Sequence, residues 1–257
     1  MQELYNKLKK YSIYDVIKIE ETDRQYIALK KLWNNLNRLS YDCNMCKGDI
    51  YLSLILANSI ICYQLSWKWE DYWEEFSNYF VDFFNLSKIN NLNSDSITLF
   101  LSNFIKQSKN NRRFINIKIN RLKKMKPFLE NFLWNTEYYY DNMETLRDEI
   151  VKTMNQKKDA KTIVFAIKMF SYWSRNVFDK LNYFPEKISI PIDSRLINLF
   201  VKYWNNNMNY ESIDTSFKKN IFTKDIKRFY FDLAKKIGIP ELHLDALVWI
   251  NYNELMI

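Results

Sequence analysis

The stretch DAKTIVFAIKMFSYW, residues 159–173, decides how the chain is read. At about 100° per residue, Ile163, Ala166, Ile167 and Phe170 share one side of a helix and form a stripe suited to a core. Lys161, Phe165, Lys168 and Tyr172 fall within about 60° of one another on the opposite side. The helix is thus expected to present two amines and two rings away from its core face, headed by Lys161. A cation in a first turn meets the positive end of the helix macrodipole, which disfavours it. That placement asks for a reason.

Working outward, the rest of the chain is equally helical. "DRQYIALKKLWNNLNRL" (23–39) has apolar residues at helical spacing after its first residue, Asp23, which is fit to cap it. "DIYLSLILANSIICYQLS" (49–66) is apolar nearly all round and reads as a central buried helix. "WKWEDYWEEFSNYFVDFF" (67–84) and "SDSITLFLSNFIKQSK" (94–109) follow, and a basic run, 110–126, leads to Pro127. Residues 128–156 hold one or two helices. "NYFPEKISIPID" (182–193) has two prolines and cannot be helical throughout. A new helix starts at Asp193, residues 205–223 read as irregular, and 224–238 is a helix closed by Gly238. "IPELHLDALVWIN" restarts with Pro240 in its first turn.

Only two glycines, Gly48 and Gly238, and four prolines occur in 257 residues. Tight β-turns and phosphate-cradling loops need glycine at positive φ, so an all-β fold, a P-loop and a dinucleotide-binding fingerprint are excluded. The expected fold class is all-α. Apolar residues are 47% and charged residues 26% of the chain, which excludes disorder, and no run of about 18 apolar residues offers a membrane span. The start, "MQELYNKLKKYSIYD", lacks a signal peptide's apolar core. An intracellular protein with no membrane partner is expected.

A formal net charge of +8 with 17% aromatic residues suits nucleic acid, since phosphates attract cations and unstacked bases attract rings. Biased composition gives the same excess without function. Cys43 and Cys46 form "CNMC" but lack a second pair, and the one histidine, His243, is far along the chain. A structural zinc site wants four ligands, so no metal is expected.

A lysine amine is nucleophilic only when unprotonated. The helix start, the neighbouring Lys157 and Lys158, and partial burial against Phe165 would each disfavour the ammonium form, whereas DNA phosphates would favour it. Lys161 can equally bind a phosphate beside free helix N–H groups, or be a surface lysine. Asp193 follows "SIPI" and precedes a helical run, the place of an N-cap carboxylate. Thirty-two residues separate it from Lys161 (193 − 161), enough for a helix, a turn and a return.

"KTIVFAIKM", "IPIDSR" and "IPELHLDALVW", with the aromatic stretch "ANSIICYQLSWKWEDYWEEF", are similar in order and spacing to the archaeal 8-oxoguanine DNA glycosylases. These are the AGOG family of the helix-hairpin-helix DNA glycosylase superfamily. The resemblance implies one all-α catalytic unit over residues 1–257, with a helix-hairpin-helix region near 141–205 and the active site in a cleft between two packed helical subdomains. It implies a DNA-associated monomer that acts on DNA containing 8-oxoguanine without metal or organic cofactor. Lys161 would be the Schiff-base nucleophile and Asp193 the catalytic carboxylate; the base is released and the strand cut by β-elimination. Phe165, Lys168, Pro191, Asp245 and Trp249 would contact the base, with Gln25 and Trp73 as N-terminal contributors.

Two departures stand out. The hairpin stretch "NQKKDA" before Lys161 has no glycine and must be built differently, and no cysteine follows Cys62, which excludes a C-terminal iron–sulfur cluster. The alternative reading is a non-catalytic basic helical protein that binds DNA or RNA.

Overall fold

The structure is a computed structural model that describes residues 1–38, 47–86, 93–204 and 215–257. Among the described residues the regular elements are all α-helices, in keeping with the scarcity of glycine. In chain order they are α1 (Gln2–Leu8), α2 (Ile13–Glu21), α3 (Arg24–Arg38), α4 (Lys47–Ile61), α5 (Trp69–Leu86), α6 (Ser94–Gln107) and α7 (Ile115–Phe132). There follow α8 (Thr136–Asp141), α9 (Met143–Met154), α10 (Lys161–Val177), α11 (Ser194–Tyr203), α12 (Thr215–Ile237), α13 (Glu241–Ile250) and α14 (Tyr252–Met256).

The chain divides into two compact units. The middle unit is Asp23–Asn182, and the terminal unit joins Met1–Thr22 to Tyr183–Ile257. In the middle unit α4 is the hub. Every residue from Ile50 to Ile61 is buried, as its all-round apolar sequence predicts, and α10 packs along it. Two polar groups inside α4 are paired: Ser59 Oγ donates to the Ile55 carbonyl at 2.7 Å, and the Tyr72 hydroxyl of α5 donates to Asn58 Oδ1, while Ser53 Oγ and Asn58 Nδ2 have no hydrogen-bond partner among the described residues. The Trp173 indole stacks on Tyr26 (4.6 Å between ring centres) and meets Tyr51 edge-on (5.7 Å), joining α10 to α3 and α4.

In the terminal unit the two ends of the chain share one core. Leu4, Leu8 and Val16 pack with Leu196, Phe200, Tyr230, Leu233, Leu244 and Leu247. Helix α2 was not read from periodicity, yet "SIYD" carries its start signal. The Ser12 hydroxyl accepts the Asp15 N–H at 3.3 Å while Asp15 accepts the Ser12 N–H at 2.8 Å, a reciprocal capping box.

Three expectations need correction or limits. Helix α7 runs through Pro127 to Phe132, so residues 128–132 belong to it and not to the one or two helices expected over 128–156. Pro127 and Lys123 are both exposed, so the carbonyl deprived of its helical donor opens to water. Helix α12 begins at Thr215, well before residue 224; "TSFKKNIF" contains no glycine or proline to interrupt it. The expectations for 205–214, and for Cys43 and Cys46, lie outside the described residues. Among the described residues, no helix is long and apolar enough to cross a membrane.

Candidate active site

Lys161 is the first residue of α10, is exposed, and has no carboxylate partner among the described residues. No acidic residue shares its turn, and Ala160 caps the helix without a side-chain hydrogen bond. Partial burial was an expectation that the structure does not meet. The outward stripe needs correction too. Lys168 is only 7% exposed and Tyr172 is buried, because α10 packs on α4, α9 and α8 while Tyr26 at the start of α3 stacks on its Trp173. The Tyr26 hydroxyl donates to Asn176 Oδ1 at 2.8 Å, fixing that contact. Phe165 stays half-buried and meets Trp69 edge-on at 4.8 Å.

Gln25 and Lys168 are brought into one cluster by Asp23, which sequence reading saw only as a helix cap. Gln25 Nε2 donates to Asp23 Oδ2 at 2.8 Å and the Gln25 backbone N–H donates to Oδ1 at 3.0 Å. Burial pushes the Asp23 carboxyl above its ordinary value, against the pull of the Gln25 hydrogen bonds and the Lys168 charge. Trp73 is fully buried on α5, edge-on to Tyr72 (5.6 Å) and Phe76 (5.8 Å), and its indole N–H has no acceptor among the described residues. An unpaired buried donor costs about 1–3 kcal/mol, and the Trp173 indole N–H and several buried hydroxyls share this state among the described residues.

The turn before Lys161 solves the missing-glycine problem with asparagine. Asn155 ends α9 in the left-handed region (φ 51°, ψ 55°), a conformation asparagine tolerates better than most residues. The Gln156 N–H then bonds back to the Val151 carbonyl at 3.1 Å, and Ala160 N–H to the Lys157 carbonyl at 3.0 Å. Arg121 of α7 clamps the turn, donating to Gln156 Oε1 (3.2 Å) and Thr162 Oγ1 (3.3 Å). Lys158 is held by Asp148 at 2.7 Å, while Lys157 is exposed.

The terminal unit carries Pro191, Asp193, Asp245 and Trp249. Asp193 is the N-cap of α11 as expected: it is extended (φ −123°), and its Oδ1 accepts the Leu196 N–H at 3.1 Å. Pro191 is buried just before it, and Asp193 itself is half-buried. The segment is tied to α13 by Glu241, whose Oε2 accepts the Ile190 N–H at 3.0 Å; burial raises that carboxyl. Two residues on, His243 Nδ1 lies 2.9 Å from Glu20 Oε1 of α2, both side chains buried. Helix α13 is thereby anchored while Asp245 and Trp249, one turn apart, remain half-buried. The Arg195 guanidinium lies 3.3 Å from the centre of the Trp249 ring. Arg195 lies within "IPIDSR", but no local signal indicates its stacking, which needs the fold to bring Arg195 of α11 to Trp249 of α13.

Among the described residues the regular elements are all helices, and this basic chain sets an exposed amine at the start of α10 and a carboxylate cap at the start of α11. The chain belongs to the AGOG family of N-glycosylase/DNA lyases, whose profile matches residues 5–256. The N-glycosylase/DNA lyase of Methanococcus maripaludis is 36% identical over 231 residues, 90% of this chain and 78% of that one. That of Thermococcus kodakarensis is 34% identical, over 90% of this chain and 75% of its own length. The 8-oxoguanine DNA glycosylase of Pyrobaculum aerophilum, solved as an 8-oxoguanosine complex, has the same fold: TM-score 0.75 at 21% identity, covering 98% of this chain and 87% of that one. The protein is therefore an enzyme, a DNA N-glycosylase with lyase activity, and the reading as a non-catalytic binder is set aside.

Proposed function

We propose that this enzyme excises 8-oxoguanine from DNA through a Schiff base on Lys161, with Asp193 as the catalytic carboxylate. The damaged nucleotide leaves the stack, because its glycosidic carbon is out of reach inside a duplex. The unprotonated Lys161 amine attacks C1′, the C1′–N9 bond breaks, and the purine departs with a proton. Ring opening and loss of the amine proton give the imine. The imine acidifies C2′, and removal of that proton expels the 3′ phosphate. Asp193 keeps one oxygen on the Leu196 N–H and has the other without a partner among the described residues, free to offset positive charge growing on the sugar.

Base selection falls to Phe165, Lys168, Pro191, Asp245 and Trp249, with Gln25 and Trp73. Oxidation turns the guanine N7 from acceptor to donor and adds a C8 carbonyl, so a fixed polar group separates lesion from normal base. The buried, unpaired Trp73 N–H and the Asp23-oriented Gln25 amide are groups of that kind. The 8-oxoguanosine in the Pyrobaculum aerophilum structure supports the choice of base.

The observation that carries this reading is the exposed Lys161 amine, without a carboxylate partner among the described residues, in a chain that matches the family from end to end. Borohydride trapping on an 8-oxoguanine oligonucleotide tests it. The wild-type chain forms a covalent DNA adduct and Lys161→Gln does not, while its helical circular dichroism is unchanged. An adduct of undiminished yield from the variant would reject the assignment.

A further inference from the structure

Two loops of the middle unit carry exposed rings that the lesion chemistry does not use. Trp67, in the loop between α4 and α5, is 70% exposed and is followed by an exposed lysine, Lys68. Phe114, at the start of α7, is 53% exposed, and Ile117 one turn later is 54% exposed. Arg112 and Arg113, just before Phe114, are exposed as well. Lys68, Arg112 and Arg113 have no carboxylate partner among the described residues.

These side chains are displayed on a braced scaffold. The Glu75 carboxylate accepts four hydrogen bonds from the turn that precedes Arg112: Ser108 Oγ (2.7 Å), Lys109 N (2.6 Å), Asn110 N (3.2 Å) and Asn110 Nδ2 (2.8 Å). Asn111 is buried; its N–H donates to Ser108 Oγ at 3.0 Å, and its Oδ1 accepts from the buried Lys118 amine. The two loops are joined to each other, Ser66 N–H donating to the Asn110 carbonyl at 2.8 Å. Phe114 itself is left-handed (φ 58°, ψ 33°), which for a bulky side chain costs on the order of 1–2 kcal/mol. A ring held in a strained backbone, in water, on a turn with this many anchors is a ring being presented.

The rim also connects to the first turn of α10. Arg121 spans from the Ile60 carbonyl (3.2 Å) to Thr162, beside Lys161, and Trp69, two residues after Trp67, touches Phe165. We propose that Trp67 and Phe114 form a stacking platform for unpaired bases of the DNA substrate, with Lys68, Arg112 and Arg113 on the adjoining phosphates. Rings stack on any base because every base has a π face, and cations hold the backbone without reading sequence. Charge complementarity decides the partner: the rim offers cations and rings, and the enzyme's substrate is a polyanion with bases that leave their pairs.

The platform rests on the enzyme's acting on DNA, not on the assignment of Lys161. Affinity for undamaged, labelled oligonucleotides of one length tests it, by fluorescence anisotropy at fixed salt. The probes are a duplex, the same duplex with a central unpaired bubble, and a single strand. The variants are Trp67→Ala and Phe114→Asn, asparagine being chosen because it tolerates the left-handed backbone. Each is expected to weaken binding of bubble and single strand about 5-fold or more, with duplex affinity within about 2-fold of wild type. Arg112→Gln with Arg113→Gln weakens all three probes and flattens the salt dependence. Loss of equal size on all three probes with the ring variants, or no loss on any, overturns the platform. Because undamaged DNA is used, these affinities are independent of the borohydride result.

Discussion

Replacing Lys118 with methionine should remove a pH dependence of stability that the wild-type chain carries. The Lys118 side chain is fully buried, and burial lowers its pKa from 10.5 to about 8. The folded state therefore releases this proton near pH 8, whereas the unfolded chain keeps it until about pH 10.5. Below pH 8 both states are charged and the folded one bears the burial penalty. Between the two values the unfolded state binds more protons, so stability rises with pH. The separation is worth about 3 kcal/mol, of which about 2–3 kcal/mol is regained between about pH 7 and about pH 10. Urea melts of wild type and Lys118→Met across that range measure it. Buried tyrosines such as Tyr51, Tyr72 and Tyr230, raised by burial, destabilise both chains alike as pH climbs, whereas the Cys62 thiol, raised by burial and pulled down by Lys118, enters the difference between the chains beside the lysine. The variant also leaves Asn111 Oδ1 without its donor, a roughly constant cost of about 1–3 kcal/mol. The expected result is a stability gap that moves in wild type's favour with rising pH. Parallel curves would refute the claim that this amine is charged and desolvated in the folded protein.

Two further outcomes follow from local geometry. Asp193→Asn keeps an oxygen acceptor for the Leu196 N–H, so its thermal unfolding stays within a few tenths of a kcal/mol of wild type while single-turnover base release falls about 100-fold or more. Near-normal release would remove Asp193 from the chemistry. Asn155→Gly is neutral or mildly stabilising, whereas Asn155→Val costs about 1–2 kcal/mol in a urea melt, since valine resists the left-handed backbone at φ 51°; equal stabilities would show that the turn relaxes.

Much of this was legible from residues alone. Two glycines in 257 residues leave a chain with little but helices to build. The buried character of α4, the cap at Asp193 and the start of α10 at Lys161 came from patterns within a few residues, because capping and amphipathic spacing are local physics. The same locality explains the failures. Periodicity assigned Lys168 and Tyr172 to an outer face, yet a helix packed on several neighbours buries more than one of its sides. Residues 128–132 continue the helix of the basic run past Pro127, because a proline on an exposed helix face interrupts only one carbonyl.

What only the tertiary structure decided are the pairings between residues distant in sequence. Lys168 brings its charge to the Asp23 carboxyl, Arg195 covers Trp249, Glu241 holds Ile190, and Glu75 gathers the turn that displays Phe114. Such partners meet because cores pack and desolvated polar groups must then find one another, a condition imposed by burial and not by neighbours along the chain. The sequence by itself determined the helices and the chemical groups available; packing determined which of those groups are buried, which are clamped, and which are left open to solvent.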